Sequence, residues 1–177
     1  HLIHTLSLHD ALPIFIADKI MKYNLTITKN EIIDGVIKLI SKNKVENGNL
    51  KLVINYNPDG ENLYKDGVNE KFLVYFVEHS YPLKEQYAEG VKTITYHGER
   101  SNPNAKVINN EFRKNVNLKI NSKKVYEAIL IDDDGYITEG SKSNIFMVKG
   151  STVVTSRVIN VLPGITRQFI IKTCEKL

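Results

Sequence analysis

Apolar positions early in the chain recur at helical spacing and then switch to alternation. Ile32, Ile33, Val36, Ile37 and Ile40 share one helical face. Thr28-Lys29-Asn30-Glu31 ahead of them has the Ser/Thr-x-x-Glu form of a capping box, so a helix is predicted from there to about Lys42. Asn47-Gly48 breaks the pattern. Residues 50–56 alternate as a strand, Pro58-Asp59-Gly60 reads as a turn, and the apolar and aromatic run 72–77 is short enough for a buried strand. Residues 80–90 carry a proline, a glycine and several charges and read as a linker. A β-branched strand is predicted over 91–96, then a helix from 105 to about 120, against which Asn109, Asn110, Asn115 and Asn117 count. Residues 125–131 read as a strand, Asp132-Asp133-Asp134-Gly135 as a hairpin turn, and 136–138 as the return strand. A second hairpin is predicted from 145–148 and 152–155 across Lys149-Gly150, and a helix from Gly164 with Ile165, Phe169, Ile170 and Thr173 on one side. The order describes an α+β chain: a small α+β domain over 15–79, the linker, and a larger β-rich domain with peripheral helices over 91–177.

Composition narrows the class without choosing a function. Of the 177 residues, 42% are hydrophobic and 25% charged, ordinary for a soluble globular protein. No apolar run approaches the roughly 20 residues a membrane helix needs. Cys174 is the single cysteine, which removes an internal disulfide and fits a reducing cytoplasm. The net charge of +4 is spread among interleaved acids and bases, with no basic stripe of the kind nucleic-acid binding requires. Residues 4–14 resemble the in-frame translation of a short-read sequencing adapter, so 1–14 is expected to be non-native. That leaves His79 and His97 for any metal argument, and Asp132 to Asp134 lack the Asp-x-Asp-x-Asp-Gly spacing of a calcium loop, so no metal is expected. With no cap on its last helix, the chain is expected to be a fragment open at both ends.

Two segments carry candidate chemistry. Glu139-Gly140-Ser141-Lys142-Ser143-Asn144-Ile145-Phe146 puts a carboxylate at a strand end in a glycine- and serine-rich turn. Leu162-Pro163-Gly164-Ile165-Thr166-Arg167 opens a helix whose free N–H groups and dipole suit a phosphate. A carboxylate beside a pyridine nitrogen favours the protonated ring, the electron-withdrawing form. Taken singly, Glu139 reads more simply as a surface residue and Pro163-Gly164 as an ordinary helix start.

Together the two segments resemble the class IV aminotransferases, the fold-type IV pyridoxal-phosphate enzymes, over roughly residues 16–177. The resemblance implies a two-domain fold, here a small domain and an incomplete larger one. It implies pyridoxal 5'-phosphate as cofactor, with Glu139 on the ring nitrogen and Ile165 and Thr166 on the phosphate. Asn102-Pro103-Asn104-Ala105-Lys106 matches the site of the family's Schiff-base lysine, which makes Lys106 the catalytic residue. Such an amine attacks the cofactor aldehyde only when unprotonated, and burial beside a cationic ring would favour that form. Asn144 is expected to fix the turn around Glu139. The branched-chain branch has a tyrosine five residues after the lysine, and Glu111 stands there in this chain. The implied function is transamination between an amino acid and a 2-oxo acid by a cytoplasmic homodimer. The alternatives are β-elimination of the aminodeoxychorismate lyase type and, in another class, a non-catalytic binding domain.

Overall fold

The computed structural model describes residues 12–46, 48–57, 70–78 and 81–177. The chain divides into two compact units, residues 1–81 and 82–177.

In the first unit, helix α1 (Leu12–Met21) precedes α2 (Lys29–Asn43) and an antiparallel pair, β1 (Asn49–Tyr56) and β2 (Glu70–Val77). The capping box forms as its sequence predicts: Thr28 Oγ1 accepts from Glu31 N–H at 3.3 Å, and Glu31 Oε2 accepts from Thr28 N–H at 2.7 Å. The Thr28 N–H and hydroxyl, both donating to Glu31 Oε2, hold the Glu31 carboxyl below its ordinary value. Behind the cap, Ile32 and Val36 are fully buried, one turn apart on the predicted face. Buried Glu70 accepts from Thr26 N–H and Ile27 N–H, fastening the approach to α2 onto the start of β2. Of the segment expected to be non-native, residues 1–11 lie outside the described residues and Leu12-Pro13-Ile14 open α1. The Pro58-Asp59-Gly60 turn also lies outside them.

The second unit begins with α3 (Lys84–Glu89), a six-residue helix inside the stretch read as a linker. Gln86 Oε1 accepts from Leu83 N–H at 2.8 Å and closes its first turn. Strand β3 (Thr93–His97), helix α4 (Asn110–Lys123) and strand β4 (Glu127–Ile131) then make a β-α-β unit with β3 parallel to β4. Phe112, Val116 and Ile120, spaced by four, turn one face of α4 onto Ala128, Leu130, Ile94 and Tyr96, and this is the core of the unit. Full burial of side chains such as Val116 and Leu130 contributes about 1.5–3 kcal/mol each. The helix predicted from 105 begins instead at Asn110, because Asn109 Oδ1 accepts from Phe112 N–H at 3.0 Å and caps it there.

Asp132 N–H donates to Tyr136 O, Gly135 takes φ +85°, and the chain returns as β5 (Ile137–Gly140), antiparallel to β4. Between the pairs Ile129–Gly140 and Ile131–Ile137 the register shifts by one residue, a β-bulge on β5. Thr138, Glu139 and Gly140 are consequently buried in succession rather than in alternation. Strands β6 (Phe146–Lys149) and β7 (Thr152–Thr155) form the second hairpin, and a 3-10 turn (Val158–Asn160) leads to α5 (Ile165–Cys174). Of the residues predicted on one side of α5, Ile165 and Ile170 are half-buried. Phe169 is 60% exposed and Thr173 exposed, while Arg167 is buried, held by its Nη2 donating to Ser156 O at 2.7 Å.

Candidate active site

Three stretches far apart in sequence converge in the second unit: residues 100–106 ahead of α4, the β5 end with its turn (139–144), and the approach to α5 (161–164). Leu162 joins two of them. Its N–H donates to Glu139 Oε2 at 3.1 Å, and its carbonyl accepts from Asn144 Nδ2 at 3.0 Å. The third is fastened by Asn104, whose Nδ2 donates to Val158 O at 2.6 Å and to Val161 O at 2.8 Å. The two sequence segments that suggested chemistry are therefore in direct contact.

Glu139 is 3% exposed, so it is not the surface glutamate its spacing allowed. The bulge turns it inward. Its Oε1 lies 3.0 Å from Arg100 Nε, and Arg100 Nη2 donates to Ser141 O at 3.0 Å. The Nε hydrogen is not aligned for a hydrogen bond, so the contact with Glu139 is an ion pair rather than a directed bond. Burial pushes the Glu139 carboxyl above its ordinary value of 4.5, opposed by the Arg100 charge and the Leu162 N–H.

The turn after Glu139 is ordered by one carboxylate. Glu127 Oε1 accepts from Ala128 N–H, Ser141 N–H and Ser141 Oγ, and its Oε2 accepts from Lys142 N–H and Ser143 Oγ. A Cβ on Gly140 would collide with Ser143 Oγ, so a side chain there requires that hydroxyl to move. Asn144 reaches across to Leu162 and so holds the two segments together, beyond the local turn it was expected to fix.

Helix α5 opens at Gly164 with no side-chain cap, leaving the N–H groups of its first turn to other partners. Ile165 is half-buried and Thr166 exposed. A Cβ on Gly164 would lie 2.4 Å from Asn144 Oδ1, so glycine permits the close approach of this helix start to the 139–144 turn. Lys106 is exposed at the centre of a tight turn in which Val107 N–H donates to Ala105 O at 2.8 Å. Its neighbour Ala105 is 2% exposed. The burial expected of Lys106 is thus not supplied by this chain alone. Glu111 sits exposed in the first turn of α4.

Sequence reasoning missed Arg100, Glu127, Asn104 and Arg167. The first two act across strands and carry no local spacing signal. Asn104 stood inside a quoted motif, and its polar side chain two residues before Lys106 was the available cue. Among the described residues, Arg100 Nε and Arg167 Nε are the buried side-chain nitrogens and oxygens with no hydrogen-bond partner.

This architecture and these segments define a fold-type IV enzyme scaffold. The chain belongs to the amino-transferase class IV family, which it matches over residues 17–177. It is 28% identical to branched-chain-amino-acid aminotransferase-like protein 2 of Arabidopsis thaliana, over 89% of this chain and 30% of that protein. It is 26% identical to the aminodeoxychorismate lyase of Bacillus subtilis, over 90% of this chain and 56% of that one. The chain therefore spans about half or less of the length of these relatives. Its fold matches the branched-chain amino acid aminotransferase of Escherichia coli with a TM-score of 0.73. That match has 21% identity and covers 95% of this chain and 57% of the other.

Proposed function

We propose that the whole protein transfers an amino group between an amino acid and a 2-oxo acid with pyridoxal 5'-phosphate, and that this chain carries the cofactor-holding residues. The observation that carries the reading is the junction at Leu162, where a buried carboxylate meets an uncapped helix start. The donor set fits the cofactor: Glu139 is an acceptor for a protonated ring nitrogen, and the first turn of α5 at Ile165 and Thr166 offers N–H groups to a phosphate. Gly164 lets the Asn144 amide pack closely against the start of that turn. Bound there, pyridoxal phosphate supplies an electron sink for the substrate carbanion. Glu139 holds the proton of the ring nitrogen in place. Lys106 would hold the cofactor, and its Nζ, once free of it, would take the proton from the substrate α-carbon. Asn104 and the tight turn around Lys106 fix the backbone that carries that amine.

The test is release of 2-oxo acid from amino acids of the L and D series in the presence of pyridoxal phosphate, with Lys106→Ala in parallel. Loss of release in the variant supports the assignment, and unchanged release contradicts it. A second reading draws on the 26% identity to an aminodeoxychorismate lyase. Elimination from aminodeoxychorismate without amino transfer would move the function to that reaction, on the same residues.

A further inference from the structure

We propose that Arg100 is a positioning residue that keeps the Glu139 carboxylate charged and oriented as a hydrogen-bond acceptor. Where that acceptor serves a ring nitrogen, the inference rests on the function proposed above. The guanidinium is fixed at two points on the end of β5: Nε lies 3.0 Å from Glu139 Oε1, and Nη2 donates to Ser141 O at 3.0 Å. Leu162 N–H holds the other carboxylate oxygen. Glu139 thus has a partner at each oxygen, the Arg100 charge at Oε1 and the Leu162 N–H at Oε2.

Charge makes the arrangement more than a support. A carboxyl as buried as Glu139 drifts toward its neutral form, and a neutral carboxyl donates a hydrogen bond where a carboxylate accepts one. Arg100 is the cation that the described residues bring into contact with it. The other charged groups around β5 are engaged elsewhere or exposed. Glu127 on β4 is turned to Ser141, Lys142 and Ser143, and Arg167 on α5 to the Ser156 carbonyl. Lys106 and Lys142 are exposed. A lysine at position 100 could supply the charge but not both contacts, because its single ammonium lacks the planar fork.

The experiment follows the Glu139 side-chain carboxyl carbon by NMR across pH, on the full chain without cofactor, in wild type, Arg100→Met and Arg100→Lys. The Glu139 midpoint is expected to move to higher pH in Arg100→Met and part of the way back in Arg100→Lys. An unchanged midpoint in a folded Arg100→Met overturns the proposal. If circular dichroism shows that Arg100→Met does not fold, the Arg100 Nε resonance decides in the wild type and in Glu139→Gln. A pH-dependent step that Glu139→Gln abolishes supports the pairing, and a flat trace in both overturns it. No cofactor enters either measurement, so a chain that never binds pyridoxal phosphate would refute the proposed function and leave this result standing.

Discussion

Leu162 is held by both of its backbone polar groups, and Gly164, two residues on, admits the Asn144 amide that makes one of those bonds. The backbone at Gly164 is ordinary, with φ −59° and ψ 145°, so its need for glycine is steric. Gly164→Ala should destabilise by about 1–3 kcal/mol, the usual range for overpacking, and far less in an Asn144→Ala background. A double-mutant cycle by urea unfolding checks this, and simple additivity would contradict it. Glu139 makes a second residue-level prediction. Its carboxyl is raised on folding, so its contribution to stability is full below 4.5 and is lost as the pH climbs through the raised value. Wild type should therefore lose stability relative to Glu139→Gln as the pH climbs from 4.5 through that raised value, and parallel curves would contradict the raised carboxyl.

Among the elements, α4 separates what is local from what is not. Its presence as a helix was read from the sequence, whereas its start was not, because the Asn109 cap lies several residues inside the stretch read as helical. The Asn109 cap keeps the Lys106 stretch out of the helix. Asn109→Ala should cost about 1 kcal/mol and let the helix creep toward Lys106. Thermal unfolding measures the first effect, and amide exchange at residues 107–109 the second, with unchanged exchange contradicting the role. The bulge on β5 was equally out of sight. Thr138-Glu139-Gly140 carries no local sign of a bulge, and the extra residue shows only against the register of β4. Glu139 was therefore legible as a motif residue, while its burial and its Arg100 partner were not.

For the molecule as a whole, the α+β class, the order of the elements apart from α1 and α3, and the pairing of the 139–146 and 162–167 segments could be read from the chain. Both segments carry their own turn and helix-start chemistry, and the resemblance supplied their relation. The bonds that bring them together, from Glu127, Asn104, Asn144 and Arg100, span gaps in sequence that no periodicity marks. The burial of Arg167 on α5 was out of sight for a related reason. An arginine was drawn inward by a carbonyl on another segment, against the hydrophobic pattern of the helix itself. The most direct test of the account is borohydride reduction of the chain with added pyridoxal phosphate, followed by peptide mapping. The account predicts one reduced adduct, on Lys106, and its disappearance in Lys106→Ala. A chain shown folded by circular dichroism that carries no adduct, or carries it spread over its other lysines, would contradict it.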